Sequence, residues 1–361
     1  MNLSRTQCSI LKGLAILSIA LHNFIHQTRF GFAQQNESSF NIDNTINFFQ
    51  GLNEGVWNAL LQISSFLGWI GVPVFVFLSG YGLVKKYESS SDIVKTGHYI
   101  CHSWAKLFCM MLPGILFFAV FMQLSGYGGF HVQIKYAAYL SMLGNLFGLY
   151  ELTPGVYWYF GLTFELYLIY LLYNRYRNNS LIVLGLSIPI LIQAFLLLLG
   201  KTTWATFNLK NALGWLPIFV TGLYFARRKK DLEKTGMLTI AIGLIFSFCL
   251  LIICNANVWM WLFIHFFALA FFIFLMLIIE KIDFLESFFS FLGKYSGAIF
   301  VCHPIARIIA KNISHNWGIG WELLLYLALI PLTVLIFQVV YKWLYFNIND
   351  RIERSLNSLR K

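Results

Sequence analysis

The sequence predicts an all-α, polytopic membrane bundle of about ten transmembrane helices, and three observations carry that prediction. Of the 361 residues, 58% are hydrophobic and only 11% are charged. Soluble domains carry roughly a quarter charged residues, so this chain has too few to coat a surface in water. The mean hydropathy is +0.69, and the apolar residues fall into runs long enough to cross a bilayer. These features exclude a soluble enzyme, a secreted disulfide scaffold and a disordered regulator.

Ten segments approach the roughly 20 apolar residues that a spanning helix needs. They are predicted at 9–27, 60–84, 104–124, 155–174, 181–200, 212–227, 236–255, 257–280, 288–309 and 321–345. The first looks like a signal peptide but lacks a small-residue cleavage site, so we expect it to remain as an anchor. The stretch 133–152 is apolar but interrupted by Gly144 and Gly148, which favours an amphipathic or re-entrant segment.

The distribution of basic residues predicts the orientation of these spans. With both termini in the cytoplasm, 20 of the 26 Lys and Arg residues fall on the cytoplasmic side and six on the other. Because an excess of Lys and Arg inside sets topology, we expect both termini to be cytoplasmic. The same excess explains the net charge of +11 without a nucleic-acid partner, since no basic stripe lies on a soluble module. We expect a single domain over 1–361 with no appended soluble domain.

Two segments are expected on the outer side, at 28–58 and 126–154. The first is polar and aromatic, and it is long enough to cover a pocket.

Ionisable residues inside spans are costly and usually functional. Five positions qualify: His22 and His26 in the first span, Glu165 in the fourth, His265 in the eighth and His303 in the ninth. A buried neutral imidazole can accept a proton near pH 7, so His22 is a candidate general base. An interhelical hydrogen bond is an equally good interpretation of His22.

The other four positions have their own alternatives. Glu165 could orient a histidine, hydrogen-bond a substrate hydroxyl, or be held by Tyr or Trp. We interpret His265 as structural, whereas His303 lies among small residues and before Pro304, which frees backbone carbonyls. His22 and His26 share one helix face and could pair on a metal. Two ligands do not make a zinc site, and we expect no helix to carry a matching HxxxH or carboxylate pair, so no metal is predicted.

Arg227 and Arg228 begin a basic cytoplasmic loop at 226–234. The loop is explained as a positive-inside anchor. A guanidinium also matches phosphate geometry, so binding the phosphates of a nucleotide-like cofactor is a second, compatible interpretation. The phosphate-binding and nucleophile motifs of soluble enzymes are missing from the sequence.

Four segments resemble landmarks of the membrane-bound acyltransferase-3 family, in the order that the family has them. They are 11–23, 71–83, 157–167 and 296–304, and the resemblance covers nearly the whole chain. It implies a ten-helix bundle in a bacterial inner (plasma) membrane. It also implies transfer of an acyl group, commonly acetyl from acetyl-CoA, to hydroxyls of extracytoplasmic glycans or glycolipids.

The family's first span carries a basic residue, ten intervening residues and then a histidine. Here nine residues separate Lys12 from His22, and Asn23 stands at the family's spacing. Ten steps along an α-helix leave two side chains about 80° apart, whereas eleven leave about 20°. A local bulge, substitution by His26, a dispensable basic partner or lost activity would each account for the departure.

The resemblance implies a mechanism in which His22 is the general base and Asn23 or Ser79 donates to the oxyanion. The candidate catalytic residues are His22, His26, Asn23 and Glu165. The candidate residues for the CoA phosphates are Lys12, Lys85, Lys86, Arg227 and Arg228. Expected partners are acyl-CoA, a glycan or lipid-linked saccharide, and membrane lipids.

Two other functions fit the sequence. A transporter or exporter of a small anionic or acylated molecule is the main alternative, because transporters also place polar residues at the midplane. A catalytically inactive scaffold is the third, and only the altered histidine spacing motivates it.

Overall fold

A computed structural model describes residues 2–28, 31–88, 95–124, 135–149, 154–228, 235–314 and 316–358. In these ranges the chain is helical and has no strand, which confirms the all-α prediction. The α-helices are α1 (Arg5–Ile25), α2 (Ile42–Gly51), α3 (Val56–Leu67), α4 (Val72–Tyr87), α5 (Thr96–Leu124), α6 (Lys135–Leu140), α7 (Trp158–Tyr176), α8 (Asn179–Leu198), α9 (Thr202–Asn208), α10 (Ala212–Arg227), α11 (Met237–Ala256), α12 (Val258–Trp261), α13 (Ile264–Ile279), α14 (Asp283–Ile313) and α15 (Ile319–Ser358).

Seven helical segments of the described chain are long and apolar enough to cross a membrane. They are Arg5–Ile25, Val56–Tyr87, Thr96–Leu124, Gly155–Tyr176, Asn179–Leu198, Met237–Ala256 and Ile319–Ser355. The apolar helices α10 and α13 are shorter, and α14, with 31 residues, covers the ninth predicted span. The chain is therefore a multi-pass membrane protein, while the count of ten spans and the cytoplasmic termini stay predictions.

The structure differs from the predicted spans in two places. The second span is a composite, in which a 3₁₀ turn at Gly68–Gly71 joins α3 to α4. The eighth span is likewise divided into the single turn α12 and the helix α13. An apolar run reveals how long a span is but not where its helix breaks, because glycine and proline positions and packing decide the break.

The outer segment 28–58 is helical in part, contrary to the expected loop. It contains α2, a 3₁₀ turn at Leu52–Glu54 and the first residues of α3. Asn41 caps the N-terminus of α2, since its side-chain Oδ1 accepts a hydrogen bond of 2.9 Å from Asp43 N. Of the predicted outer segment 126–154, residues 126–134 and 150–153 lie outside the described residues, as do residues 229–234 of the basic loop.

The first of two compact units comprises residues 1–90, 177–209 and 213–296. Helix α1 packs there against α3, the 68–71 turn, α4 and α13. Its N-terminus is capped reciprocally by Ser4 and Gln7. A Cβ on Gly13 would overlap the main-chain oxygen of Phe289, and one on Gly293 would overlap that of Ser9. Backbone contact of this kind, made possible by small residues, is typical of membrane helices.

The second compact unit comprises residues 91–176, 210–212 and 297–361. Helix α5 packs there against α7 and α15, and Phe118 forms a buried cluster with Ile305 and Ile308. The hydroxyl of Tyr157 donates a hydrogen bond of 2.8 Å to the main-chain oxygen of Val301. The single-domain organisation expected from the sequence stays a prediction.

Candidate active site

His22 is fixed in one orientation inside the first unit. Its side chain is 5% exposed, and its Nδ1 lies 2.7 Å from the main-chain oxygen of Ser65 on α3. A carbonyl oxygen can only accept, so Nδ1 carries the proton of this hydrogen bond. In the neutral ring, Nε2 is therefore the unprotonated nitrogen, which is the state that a general base requires.

The 3₁₀ turn after α3 packs closely against α1 at His22. A Cβ on Gly68 would overlap the Cβ of His22 and would lie 2.8 Å from the main-chain oxygen of Ser18. The hydroxyl of Ser18 donates a hydrogen bond of 2.8 Å to the main-chain oxygen of Gly68. The first span and the 68–71 turn are thus in backbone contact beside the candidate base.

The other two catalytic candidates of the first predicted span, Asn23 on α1 and His26 just after it, lie beside His22. The rings of His22 and His26 are stacked with centroids 5.1 Å apart. The amide nitrogen of Asn23 donates a hydrogen bond of 3.0 Å to the main-chain oxygen of Ile19, four residues earlier. Helix α1 is α-helical throughout Arg5–Ile25, so no bulge brings Lys12 onto the face of His22.

The outer segment packs directly behind the His22 partner. The hydroxyl of Ser65 donates to the main-chain oxygen of Ala33 at 3.1 Å, and the Ala33 N–H donates to Oε1 of Gln62 at 2.9 Å. The hydrogen bonds therefore run from the outer segment through α3 to His22. That the segment covers a pocket stays a prediction.

Asn36 anchors the same segment from the other side. Its side chain is buried, and its main-chain oxygen accepts a hydrogen bond of 2.7 Å from Nε1 of Trp261. Its Oδ1 accepts from Nδ2 of Asn44 at 2.9 Å. Thr45, in the first turn of α2, donates to the main-chain oxygen of Asn255 at 2.6 Å. Buried polar groups that are bonded in this way rigidify a segment.

A second buried histidine of this unit lies between two indole rings. His265 stacks on Trp215 with centroids 4.3 Å apart and meets Trp69 edge-on at 5.9 Å. It lines a cleft with Gln193 and Pro217, and its Nε2 has no hydrogen-bond partner within the described residues. Glu37 is close enough to interact electrostatically with both His22 and His265.

Glu165 and His303 belong to the second unit. Oε2 of Glu165 accepts a hydrogen bond of 2.7 Å from the N–H of Ala212, the first residue of α10. A carboxylate at a helix N-terminus is stabilised by the unpaired N–H groups there. The other carboxylate oxygen of Glu165, Oε1, is buried without a hydrogen-bond partner among the residues described. Nδ1 of His303 lies 3.3 Å from the main-chain oxygen of Ile299 within its own helix.

Arg227, one of the five cationic candidates, forms a bidentate ion pair. Its Nε and one terminal nitrogen each lie 2.9 Å from an oxygen of Glu88, and the two side chains are 19% and 8% exposed. The pair joins the end of α10 to the end of α4. A phosphate at Arg227 would have to share or displace Glu88.

The other cations lie at the same helix ends or on α1. Lys85 donates to Oδ1 of Asn2 at 3.2 Å, and Lys86 lies 4.7 Å from the ring centre of Tyr87. The guanidinium of Arg228 lies 5.0 Å from the ring centre of Tyr224.

The start of α1 lies near the end of α4. Lys12 and Lys85 both interact electrostatically with Cys8, so the structure brings α1 and the end of α4 together.

Several groups around His22 were missed in the sequence. Ser65, Gly68 and Glu37 contact or face the histidine from other segments. The position of Gly68 could have been used as a prediction, because a glycine inside an apolar run often marks a place where two backbones approach closely. The main-chain oxygen of Ser65 could not, since a backbone acceptor has no sequence signature.

The comparisons with known proteins agree with this architecture. A family model described as an acyltransferase domain, that of acyltransferase family 3, matches residues 8–342. No curated protein and no solved structure matches the chain. The matched range contains α2 to α14 in full, and most of α1 and of α15. It includes His22, Glu165 and Arg227. The chain therefore belongs to the acyltransferase-3 family, and it is a multi-pass membrane acyltransferase.

Proposed function

We propose that the protein transfers an acyl group, in the simplest case acetyl, from cytoplasmic acyl-CoA to a hydroxyl of an extracytoplasmic glycan or glycolipid. The membrane would be a bacterial inner membrane. Family membership supports the acyl transfer. The four segments that resemble family landmarks support the donor and the acceptor class.

The observation that carries the proposal is the environment of His22. The hydrogen bond from Nδ1 to Ser65 O, 2.7 Å long, fixes the tautomer in which Nε2 can accept a proton. Burial favours the neutral ring over the charged one, because the charged form loses solvation. A neutral, oriented imidazole in a span is what removing a proton from an alcohol requires.

The chemical step follows from that placement. The acceptor hydroxyl attacks the thioester carbonyl while Nε2 of His22 takes its proton. The tetrahedral intermediate then collapses, the C–S bond breaks, and the CoA thiolate leaves and takes the proton back from His22. The products are the acyl ester and free CoA. General-base assistance of this kind contributes roughly 10²–10⁴-fold to the rate.

The oxyanion of the intermediate needs hydrogen-bond donors. Asn23 lies one residue after His22, and its amide nitrogen donates a hydrogen bond to Ile19 O. The hydroxyl of Ser79 donates to the main-chain oxygen of Phe75 at 2.8 Å. We propose Asn23 as the donor because it is adjacent to His22 in the chain, whereas Ser79 would have to rotate out of its hydrogen bond to take the role.

The phosphates of the donor would bind at the ends of α4 and α10. There Lys85 contacts an amide oxygen, and Lys86 and Arg228 lie over tyrosine rings. The contacts of Lys85 and Lys86 with neutral groups cost little to exchange for phosphate. Lys12 lies about 15 Å along the helix axis from His22. The acyl-bearing arm would enter between helices from this side and bring the thioester to His22.

The test uses the full-length protein in lipid nanodiscs, titrated with acetyl-CoA and with free CoA. We expect saturable binding of both and slow loss of the thioester, accelerated by a soluble oligosaccharide with free hydroxyls. Arg228→Ala and Lys85→Ala should weaken binding of both ligands. Absence of CoA binding in a well-folded sample would contradict the proposal and favour the transporter.

A matched control separates phosphate binding from surface charge. Lys281 follows α13 and Lys294 lies on α14, and neither is a candidate for CoA. Lys281→Ala and Lys294→Ala should leave acetyl-CoA binding unchanged. An equal loss in these variants would show that overall charge, and not a site at α4 and α10, attracts the ligand.

A further inference from the structure

Two histidines and a glutamate of the second unit converge at one end of α5. His98 and His102 lie one helical turn apart and so share a face of α5. Nε2 of His98 is 3.2 Å from Oε1 of Glu353 on α15, and Nε2 of His102 is 2.9 Å from the same oxygen. The imidazole ring centres are 4.2 Å apart. Three potential metal ligands therefore meet in one place.

The spacing of the three atoms matches that of ligands around one cation. Zinc binds histidine nitrogen and carboxylate oxygen at about 2.0–2.2 Å, so neighbouring ligand atoms of a tetrahedral site lie about 3.3–3.6 Å apart. All three atoms of the cluster lie within 4.8 Å of one another. A small movement of the side chains would give each of them a bond to a central ion.

Hydrogen bonding alone leaves the cluster incompletely satisfied. His102 Nε2 is near the carboxylate but makes no hydrogen bond within the described chain, because the geometry is unsuitable. The side chains of His98, His102 and Glu353 are 42%, 20% and 42% exposed. Ion pairs between side chains this exposed contribute little to stability, which gives little reason to gather three such groups.

We propose that His98, His102 and Glu353 form a binding site for a divalent transition-metal ion of the zinc class. Two imidazoles and one carboxylate suit such an ion, whereas magnesium and calcium prefer oxygen ligands throughout. The partial exposure gives the ion a route in and leaves room for water as a further ligand. The bound ion clamps the end of α15 to the start of α5.

The site is independent of the proposed acyl transfer, since it uses none of the residues assigned to His22 chemistry or to CoA. Its role is structural. A metal that bridges two helices binds the folded protein and not the unfolded chain, so it stabilises the fold by mass action.

The experiment uses the full-length protein with a tag that contains no histidine, stripped with a chelator and titrated with Co²⁺ and then Zn²⁺. We expect one equivalent of Co²⁺ with visible d–d absorption, displaced by Zn²⁺. Zn²⁺ should raise the Tm. Replacing a residue that only hydrogen-bonds a metal ligand lowers metal affinity by roughly 10–100-fold. Replacing one of the three proposed ligands should lower the affinity by more than that.

Two variants and one control make the result decisive. His98→Ala/His102→Ala should abolish the cobalt absorption and the Tm increase. Glu353→Gln, which keeps the side-chain shape, should weaken binding even if the double variant folds poorly. Asp350→Asn removes a carboxylate from the same region of α15, where it pairs with Arg354, and should change nothing. Unchanged cobalt binding in Glu353→Gln and the double variant, or no saturable binding by folded wild type, would overturn the proposal.

Discussion

Nδ1 of His22 on α1 lies 2.7 Å from the main-chain oxygen of Ser65 on α3, and this hydrogen bond joins the first span to the second. The carbonyl of Ser65 orients the imidazole of His22. In catalytic histidines this role usually belongs to a carboxylate or to a backbone oxygen. Because the partner is backbone, no single side-chain substitution removes it. The orientation of His22 depends instead on how closely α1 and the composite second span pack.

Gly68 controls that packing, so its substitution should damage activity without removing any catalytic group. In Gly68→Ala the new Cβ meets His22 Cβ and Ser18 O, and α1 must shift. Overpacking of this kind costs about 1–3 kcal/mol, and a displacement near 1 Å at the reacting group costs about 100-fold in rate. The measurements are acetyl transfer and Tm of the purified variant.

Gly82→Ala is the matched control for this substitution. Gly82 lies on α4, and a Cβ placed there would have no other atom within 4 Å, so an added methyl group meets nothing. The variant should transfer at the wild-type rate and be slightly more stable, because alanine favours helix over glycine. Wild-type transfer in Gly68→Ala as well would refute the packing argument.

The Arg227–Glu88 pair should respond differently to removal of each partner. Arg227→Ala and Glu88→Ala should both lower Tm, since each deprives a largely buried charge of its bidentate partner, at a cost on the order of 3 kcal/mol. Their effects on acetyl-CoA should be opposite. Arg227→Ala removes a proposed phosphate ligand and should raise KM, whereas Glu88→Ala makes the guanidinium more available to phosphate and should lower KM. Equal changes in KM would assign Arg227 to the fold alone.

Glu165 should prove to be a cap of α10 and not a participant in the chemistry. Glu165→Gln keeps an oxygen that can accept from Ala212 N, so its Tm and transfer rate should stay near those of wild type. Glu165→Ala deprives the buried N–H of its acceptor and should cost about 1–3 kcal/mol of stability. A stable Glu165→Gln variant that fails to transfer would give the carboxyl group a chemical role.

Composition and hydropathy predicted the helical membrane fold because a span's length and apolarity are local properties. Each of the ten predicted spans contains a helix or a pair of helices. The break at Gly68–Gly71 and the helix α2 inside the outer segment were not foreseen. Both elements contact distant segments, the turn through Gly68 with Ser18 and α2 through Thr45 with Asn255, and hydropathy does not encode such contacts.

The candidate site was predictable only in part for the same reason. His22 stands out in sequence as an ionisable residue within a span, but its partner is 43 residues away and is a backbone atom. The pair His98 and His102 has the i, i+4 spacing of metal ligands and lies on α5, so the expectation that no helix carries a matching HxxxH pair was wrong. Glu353, 255 residues after His98, could be found only from the fold.

The most direct test of the account is acetyl transfer by His22→Asn in nanodiscs, beside wild type. The asparagine amide nitrogen can still donate to Ser65 O from the position of Nδ1, but the side chain has no counterpart of Nε2. We predict unchanged Tm, unchanged acetyl-CoA binding and a transfer rate reduced by roughly 10²–10⁴-fold. Transfer at the wild-type rate by this variant would contradict the assignment of His22 as the general base.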